Sequence, residues 1–463
     1  MKLRIGVLLT VAFMVNVGLS EGRVLSPPLF AIMFGIIWEK LGSANFPDES
    51  FVFSFDTFWI IAFADDLVII STSKVTLTRV VSALQEFLDN FDQVISEVKT
   101  EAMTFLVSGR SRSIDVGRND ADNIMLRGVP LRFVDSFKYL GILMTTDLKM
   151  GTHVAASEEK ARLAALETSN LLRLLEIQEF RKLRMYYLAF VDSQFYGREL
   201  FPVQAIRGMK RARSLFLSSM FNLTKSFPSI IVNFVLDLYS VEFSLLKARF
   251  YFRKRLMDHD VPMARDALKC VETDLAENRT GWLHESFVLF KEIFPETRAR
   301  DFDFVRDVGD FLDDFPPCTE MNLEILQKRA ESDEKLMFFS FFMSADDAQF
   351  FLSMLAKQSV EIVRLILLFI SSEIRFRICL HHMPHCPFCP GMEFLFGHFF
   401  NCQRIMSLLS PKFISLTVVK YHVVNCEWIS LFRLLGDTLL HWAVVLPTFG
   451  LDLDLVKQLS ELY

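Results

Sequence analysis

The sequence predicts an α+β fold, with a small antiparallel sheet and helices on one face of it in the first 150 residues, and mostly α-helices after that. Three observations predict it. Short apolar runs with strand character alternate with helical stretches and turn signals before residue 150. Apolar residues recur at helical spacing from about residue 152 almost to the end. The composition, 51% hydrophobic and 23% charged over 463 residues, is that of a globular chain with a sizeable core and room for several domains.

The first strands are predicted by apolar runs that flank a pair of aspartates. "FVFSF" (51–55) and "FWIIAFA" (58–64) predict two strands, and "LVIIS" (67–71) predicts a strand that returns antiparallel. The letters "ADD" between the last two runs predict a tight turn.

A helix and two further strand segments are predicted beyond this hairpin. The apolar residues of Leu77–Phe91 recur at helical spacing and predict an amphipathic helix. "EAMTFLVSG" and "FKYLGILMT" return to strand character, with Gly109 and Gly141 as breaks. We expect these strands and the helix to pack as one α+β layer.

The rest of the chain is predicted to be helical. "THVAASEEKARLAALETSNLLRLLEI" predicts a long helix with Thr152 as its N-cap. Prolines predict interruptions near Pro228, Pro262, Pro295 and in "FPPCTE" at 315–320. We expect four regions, with bounds at 1–150, 151–260, 261–375 and 376–463.

The charge is unevenly distributed along the helical part. Residues 151–255 carry 17 lysines and arginines against 9 acidic residues, whereas residues 256–355 carry 10 against 22. A basic helical region of this kind either holds a phosphate backbone or is a solvated face with compensating neighbours. Both interpretations are compatible with the sequence.

Cysteines cluster near the C-terminus. "HCPFCPGMEFLFGHFFNC" has the spacing C-x2-C-x8-H-x3-C, which predicts tetrahedral Zn²⁺ ligation by Cys386, Cys389, His398 and Cys402. Nearby residues able to substitute as ligands are Cys379, His381, His382 and His385. The alternative is a few buried thiols with an unrelated histidine. A site of this composition would be structural, because all four coordination positions are filled.

The N-terminus has two interpretations. "MKLRIGVLLTVAFMVNVGLSEG" has the basic start, apolar run and small residues of a secretory signal peptide, which would give a mature N-terminus near Glu21. The other interpretation makes the apolar run part of a core, in a protein of the nucleus or cytoplasm. No segment offers about 20 uncharged apolar residues, so we expect no membrane-spanning helix.

Two adjacent carboxylates, Asp65 and Asp66, interrupt the most strand-like part of the chain. At a hairpin end their side chains would project from the sheet edge, where a divalent cation would offset their repulsion. Two Mg²⁺ ions held by carboxylates can stabilise both the attacking and the leaving oxygen of a phosphoryl transfer. An ordinary polar turn is the alternative.

Two segments, one before the aspartate pair and one that contains it, resemble the reverse transcriptases of non-LTR (LINE-type) retrotransposons. "GLSEGRVLSPPLF" (18–30) resembles the family block "GxxQGxxLSPxLF", and "FADD" resembles its "[YF]ADD" box. The resemblance implies that Asp65 and Asp66 are the catalytic metal ligands, with Phe63 beside the nucleotide. It also implies a nucleotide and template pocket formed by Gly22, Arg23, Ser26 and Pro27.

Three later segments follow in the family's order. "VISEVKTEAMTF" matches a block whose lysine, Lys99, is implied to lie near the triphosphate. "FKYLGI" resembles the primer-grip hairpin, with Tyr139, Leu140 and Gly141 at its tip. "YYLAFVDSQFYGRELF" (186–201) is similar to the thumb pattern at Ser193, Tyr196, Gly197 and Glu199.

The resemblance implies a fold and an activity. The four regions become a partial palm, a basic helical thumb, an acidic helical connector and a zinc knuckle with the C-terminal helices. The implied reaction is RNA-templated DNA synthesis, in which a DNA primer attacks a dNTP on an RNA template with Mg²⁺ or Mn²⁺. The zinc knuckle would contact nucleic acid or stabilise the C-terminal region. No membrane is implied, and the oligomeric state stays open.

Two departures from the family pattern concern the chemistry. Glu21 replaces the usual glutamine and adds negative charge near a triphosphate, unless it pairs with Arg23 or a metal. The family's first acidic block, which precedes the "QG" block, has no counterpart before Gly18. We therefore expect an incomplete, N-terminally truncated catalytic site. The alternatives are an inactive nucleic-acid-binding remnant and a secreted protein.

Overall fold

The computed structural model describes two compact units of the chain. The first comprises residues 1–149 with 261–263, and the second comprises the remainder. The described residues are 4–5, 8–9, 58–63, 66–71, 73–90, 94–105, 124–177, 179–223, 227–258, 262–277, 279, 281–294, 317–331, 339, 344–355, 357–358, 360–370 and 389. The predicted strand at 51–55 and most of the predicted zinc knuckle lie outside them.

The first unit combines one described helix with short strands. The helix is α1 (Lys74–Asp89). The strands are β1 (Arg4–Ile5), β2 (Leu8–Leu9), β3 (Phe58–Phe63), β4 (Asp66–Ser71), β5 (Glu101–Ala102), β6 (Met125–Leu126), β7 (Val129–Pro130), β8 (Arg132–Phe133), β9 (Ser136–Tyr139) and β10 (Ile142–Thr145).

Within the described residues, these strands pair in twos and do not form one sheet. The antiparallel pairs are β1 with β2, β3 with β4, β6 with β7 and β9 with β10. The fifth pair, β5 with β8, is parallel. The expectation of a single antiparallel sheet is therefore wrong for the described strands, although antiparallel hairpins dominate. The predicted strand at 101–109 is also shorter, since only Glu101 and Ala102 are paired.

The helix α1 confirms the amphipathic pattern, with a start three residues earlier than predicted. Its buried residues are Val80, Val81, Leu84 and Leu88, at helical spacing. The Ser73 hydroxyl accepts a hydrogen bond from the backbone N–H of Thr76 at 3.3 Å, as an N-cap does. Val81 joins Ile124, Leu126 and Leu131 in a small buried cluster that anchors the β6–β7 hairpin on α1.

The second unit is helical in its described part, which confirms the change of pattern after residue 150. Its α-helices are α2 (Gly151–Leu174), α3 (Phe180–Tyr186), α4 (Ile206–Phe221), α5 (Ser229–Val235), α6 (Val241–Asp258), α7 (Pro262–Ala276), α8 (Trp282–Ile293), α9 (Cys318–Ala330), α10 (Ala345–Leu355) and α11 (Val360–Ile370). The first two residues of α7 are grouped with the first unit. A π-helical turn (Tyr187–Val191) and 3₁₀ turns (Asp192–Phe195, Arg198–Leu200, Val203–Ala205) connect α3 to α4.

The helices α2 and α4 pack closely because small residues line their contact. Ala161 and Ala165 of α2 are fully buried, and the Ser169 hydroxyl donates to the carbonyl of Phe216 on α4 at 2.9 Å. A Cβ added at Gly208 would collide with the Glu158 side chain. Thr152 is not the N-cap of α2, since the helix begins one residue earlier, after Met150, without a side-chain cap.

One continuous hydrophobic core runs through the second unit. It extends from α2 to α11 and is rich in phenylalanine, including the fully buried Phe216, Phe234, Phe243, Phe339 and Phe351. Phenylalanine is thus a frequent core residue in the described part of this unit. No helix in the described part of the chain is long and apolar enough to span a membrane.

Candidate active site

The β3–β4 hairpin positions the predicted catalytic doublet. Its strands pair from Phe58 opposite Ser71 to Phe63 opposite Asp66, so only residues 64 and 65 connect them. Asp66 is therefore the first residue of β4 and not part of the turn. Its side chain is exposed, and that of Phe63 is 61% exposed. Asp65 lies outside the described residues.

The primer-grip segment forms a second tight hairpin, as the resemblance implied. Tyr139 of β9 pairs with Ile142 of β10, so Leu140 and Gly141 alone form the turn. Both have positive φ, 46° at Leu140 and 88° at Gly141, as a type I′ hairpin turn requires. Gly141 fits this backbone without a Cβ penalty, whereas Leu140 is strained.

Electrostatics connect the two hairpins. The Tyr139 hydroxyl is buried and has no hydrogen-bond partner among the described residues. Burial raises the pKa of Tyr139 above its ordinary value, and the negative charge of Asp66 raises it further. This electrostatic effect links Asp66 of the β3–β4 hairpin to Tyr139 of the β9–β10 hairpin.

Of the remaining predicted palm residues, only Lys99 is described. Lys99 is exposed, at the end of the turn before β5, and no described contact joins it to Asp66. The pocket residues Gly22, Arg23, Ser26 and Pro27, together with Glu21, lie outside the described residues, so the nucleotide pocket stays a prediction.

In the second unit, the thumb-like segment is held by a buried polar network. The Tyr187 hydroxyl donates to Asp192 at 3.3 Å, and Arg198 pairs with the same carboxylate at 2.6 Å. Arg213 of α4 donates to the Tyr187 oxygen at 3.3 Å and to Asn233 at 2.8 Å. Burial raises the pKa of Tyr187, partly offset by the positive charge of Arg213.

The four matching positions of the thumb pattern have different environments. Gly197 adopts φ 75°, a left-handed conformation that favours glycine. The Tyr196 ring is exposed, while its carbonyl accepts a hydrogen bond from His153 Nε2 at 3.2 Å. The Ser193 hydroxyl donates to the carbonyl of Ala189 at 2.7 Å, and the carbonyl of Glu199 accepts from the Trp282 indole. These contacts make the segment a rigid turn.

A second buried arginine, Arg249 of α6, holds the end of this segment. Its side chain is 1% exposed and pairs with Glu285 of α8 at 3.0 Å. It also donates to the Ser286 hydroxyl at 3.0 Å and to the carbonyl of Phe201. Burial lowers the pKa of Arg249, and the Glu285 pair opposes that shift.

Arg213 and Arg249 were missed by the sequence interpretation, although a signal was available. Arg249 lies four residues after Leu245 and three after Leu246. Arg213 lies three residues before Phe216 and four before Leu217. These positions fall on the buried face of their helices. A basic residue at such a position indicates a buried, paired arginine.

Two of the predicted metal ligands, Asp66 and Cys389, lie in the described part of the chain. In the described part of the chain, no three His, Cys, Asp or Glu side chains converge as a metal-binding group. The exposed Asp66 carboxylate is of the ligand type that Mg²⁺ prefers. Of the predicted zinc ligands only Cys389 is described, half-buried against the core of the second unit. Cys386, His398 and Cys402 lie outside the described residues.

Comparison with known proteins gives a family match within the first unit. Residues 9–144 match the family model described as reverse transcriptase (RNA-dependent DNA polymerase). The chain is 22% identical over 211 residues to "RNA-directed DNA polymerase from mobile element jockey" of Drosophila funebris. It is 24% identical over 206 residues to the protein of the same name from Drosophila melanogaster. Each alignment covers 43% of this chain and 21% of the relative. No solved structure matches the chain.

The matched residues include the β3–β4 hairpin with its exposed carboxylate, so this part of the chain resembles a reverse transcriptase domain. The chain is similar to the reverse transcriptases of non-LTR retrotransposons, in agreement with the order of its sequence blocks. It spans about a fifth of the length of the curated relatives it matches.

Proposed function

We propose that this protein is part of an RNA-directed DNA polymerase that extends a DNA primer with dNTPs on an RNA template. In this proposal residues 1–150 are a partial palm, 151–260 a thumb and 261–375 a connector. The observation that carries the proposal is the position of Asp66, exposed at the end of a hairpin with a two-residue connection. A carboxylate held at the edge of rigid strands is a suitable ligand for the ions of a phosphoryl-transfer site.

Asp65 and Asp66 would hold Mg²⁺ or Mn²⁺ in this site. When bound, the ion supplies charge stabilisation for the phosphoryl oxygens. Asp66 contributes a carboxylate whose backbone is fixed by the pairing of β4 with β3. Tyr139 contributes a neutral phenol at neutral pH, because burial and Asp66 both raise its pKa.

The remaining palm residues have proposed roles in binding. Gly22, Arg23, Ser26 and Pro27 would line the nucleotide and template pocket, and Lys99 would lie near the triphosphate. The Leu140–Gly141 turn would hold the primer end, a role that benefits from the fixed backbone of a type I′ turn.

A second candidate function is nucleic-acid binding without polymerisation. The observation that favours it is the excess of basic over acidic residues at 151–255, 17 against 9. Phosphate contacts alone supply most non-specific binding to nucleic acid.

Primer extension on an RNA template separates the two candidates. The wild-type chain is compared with Asp65→Asn, Asp66→Asn and the control Asp135→Asn, which removes an exposed carboxylate of the same unit. Extension that requires Mg²⁺ or Mn²⁺, is lost in the first two variants and is kept in the control supports the polymerase. Binding of the template without extension by any form supports the second candidate. Extension by Asp66→Asn at the wild-type rate would overturn the role of Asp66.

We also propose that Cys386, Cys389, His398 and Cys402 hold a structural Zn²⁺. The half-buried position of Cys389 against the core of the second unit supports this, since a closed zinc site stabilises the elements that carry its ligands. Metal analysis of the purified chain should find one zinc per chain, reduced in Cys389→Ser. Zinc-free protein with an unchanged melting temperature would overturn the assignment.

A further inference from the structure

The helix α6 carries charged and aromatic side chains on the face that does not pack into the core. Its buried residues are Val241, Phe243, Leu245, Leu246, Arg249, Phe250 and Arg253. The opposite face presents Lys247, Tyr251, Lys254 and Arg255. Tyr251 lies four residues after Lys247, and Lys254 and Arg255 lie three and four residues after Tyr251, so all four share one side of the helix. We call these four residues the α6 stripe.

Three of the four stripe residues are basic, and two nearby carboxylates are engaged inside the unit. Glu285 and Glu272 pair with the buried Arg249 and Arg253, so they do not neutralise the exposed side. Arg255 is 64% exposed, and the Glu199 carboxylate approaches it only to 3.8 Å. Lys247 forms no ion pair within the described residues. Asp258 is the one acidic residue on this side of α6.

Aromatic rings alternate with these charges. The Lys247 ammonium lies 5.7 Å from the centre of the Tyr251 ring and 5.2 Å from that of Tyr239. The Arg255 guanidinium lies 5.8 Å from the centre of the Phe252 ring. Tyr251 is 41% exposed, so part of its ring is available at the surface. Cations held beside an exposed ring keep both groups in place for a ligand that is anionic and has flat faces.

We propose that the α6 stripe is a binding surface for single-stranded nucleic acid, with Tyr251 as the stacking residue and Lys247 and Arg255 as phosphate contacts. Single strands bind where basic side chains follow the backbone and aromatic rings stack on unpaired bases. A duplex has its bases stacked internally and offers Tyr251 only sugar and phosphate. The inference rests on the proposed function, since it assigns to the second unit the handling of a nucleic-acid strand outside the polymerase site.

The test measures binding of a fluorescently labelled 20-nucleotide single strand to the full chain as a function of salt. The variants are Tyr251→Ala, Tyr251→Phe and Lys247→Gln/Arg255→Gln. The control is Lys160→Gln/Arg173→Gln, which removes the same charge from exposed positions of α2. A duplex of the same length and heparin, a polyanion without bases, are the comparison probes.

We expect Tyr251→Ala to weaken single-strand binding about five- to a hundred-fold, from the loss of one base stack, and Tyr251→Phe to retain it. Lys247→Gln/Arg255→Gln should weaken binding and reduce the salt slope by about 1.4, since each phosphate contact on a single strand contributes about 0.7. The α2 control should bind as the wild type does.

Three results would overturn the proposal. The first is that the stripe variants bind the single strand as tightly as the α2 control does. The second is that Tyr251→Ala weakens binding of the single strand and of heparin equally. The third is that the wild-type chain binds the duplex as tightly as the single strand. A strand carrying 5-iodouracil should also cross-link to Tyr251, and a cross-link confined to the first unit would contradict the assignment. Because the assay needs no polymerisation, a chain that fails to extend primers still tests the stripe.

Discussion

The two units place their polar side chains in opposite ways. In the described part of the first unit, Asp66 and the Leu140–Gly141 turn lie at hairpin ends, and the Asp66 side chain is exposed. A small buried cluster around Leu126 joins α1 to the β6–β7 hairpin. In the second unit a continuous apolar core surrounds Arg213 and Arg249, which hydrogen-bond to partners within the unit. The described strands therefore position a few site side chains such as Asp66, whereas the helices are held rigid by burial and internal pairing.

This difference has an energetic consequence. An exposed carboxylate such as Asp66 contributes little to stability, so it is free to serve a ligand. A buried arginine contributes through its partners, because removing it leaves them desolvated and unpaired. Substitutions in the two units should therefore separate loss of activity from loss of folding.

The largest expected effect is that of Arg249→Met. The change leaves the Ser286 hydroxyl and the Phe201 carbonyl without their donor and the Glu285 carboxylate without its cation. Breaking a buried pair from one side typically costs about 3–5 kcal/mol. Urea unfolding followed by helical circular dichroism should show this loss.

The control for that measurement is Arg255→Met on the same helix. Its side chain is 64% exposed and its ion pair with Glu199 is long, so we expect a change within about 0.5 kcal/mol. Equal destabilisation by both variants would show that the internal pairing of Arg249 is not what stabilises α6.

Two leucines test whether the units are stabilised separately. Leu246 of α6 and Leu126 of β6 are both fully buried, the first in the large core and the second in the small cluster. Leu→Ala in a well-packed core costs about 2–5 kcal/mol, and less where the surroundings can collapse into the cavity. We expect Leu246→Ala to cost more than Leu126→Ala.

Hydrogen exchange read by peptides locates each effect. Leu246→Ala should speed exchange in residues 206–258 and leave 124–149 unchanged, while Leu126→Ala should do the reverse. Faster exchange across both segments in either variant would mean that the two units unfold together.

Much of this architecture could be predicted from local sequence patterns. The apolar runs on either side of "ADD" predicted the β3–β4 hairpin, and Gly141 predicted a break. The helical spacing of apolar residues in Leu77–Phe91 predicted α1. These features depend on residues close in sequence, where turn chemistry and helical spacing act directly.

Features that depend on distant partners could not be predicted in this way. The parallel pairing of Glu101 with Arg132 joins residues 31 positions apart, and no local pattern encodes it. Arg249 acts through Glu285, 36 residues away, and the effect of Asp66 on Tyr139 links residues of two separate hairpins. The sequence motifs predicted which residues belong to the site, whereas the environment of each residue depends on its burial and on its partners in the fold.

A smaller effect is expected at two of the three described glycines with positive φ. Gly141 forms the exposed β9–β10 turn and Gly197 the buried turn of the thumb-like segment. An alanine in the left-handed conformation costs about 1–2 kcal/mol. Gly197→Ala should therefore lower the melting temperature of the helical unit, and Gly141→Ala should mainly weaken primer extension.

Gly151→Ala is the matched control for both substitutions. Gly151 begins α2, its φ is not positive and an added Cβ meets open space, so alanine should be neutral or slightly stabilising. A loss at Gly151→Ala comparable to that at Gly197→Ala would mean that side-chain volume, and not backbone conformation, sets the cost.

The smallest expected effect concerns pH at the end of β10. The Asp147 carboxylate accepts hydrogen bonds from the Thr145 hydroxyl at 2.7 Å and from the backbone N–H of Lys149 at 3.1 Å. These bonds, the first being the larger cause, hold the pKa of Asp147 below its ordinary value of 3.8. A lowered folded-state pKa means that their contribution is complete above pH 3.8 and is lost as the pH falls through the lowered pKa.

An NMR titration of the Asp147 carboxyl measures this directly. Thr145→Val should raise the pKa of Asp147 toward 3.8, because it removes the strongest donor to the charged form. Lys149→Gln keeps the backbone donor and should raise that pKa less. The reverse order would show that the charge of Lys149, and not the turn formed by Thr145, holds Asp147 ionised, and would make this end of the first unit as dependent on a charge pair as the arginine network of the second.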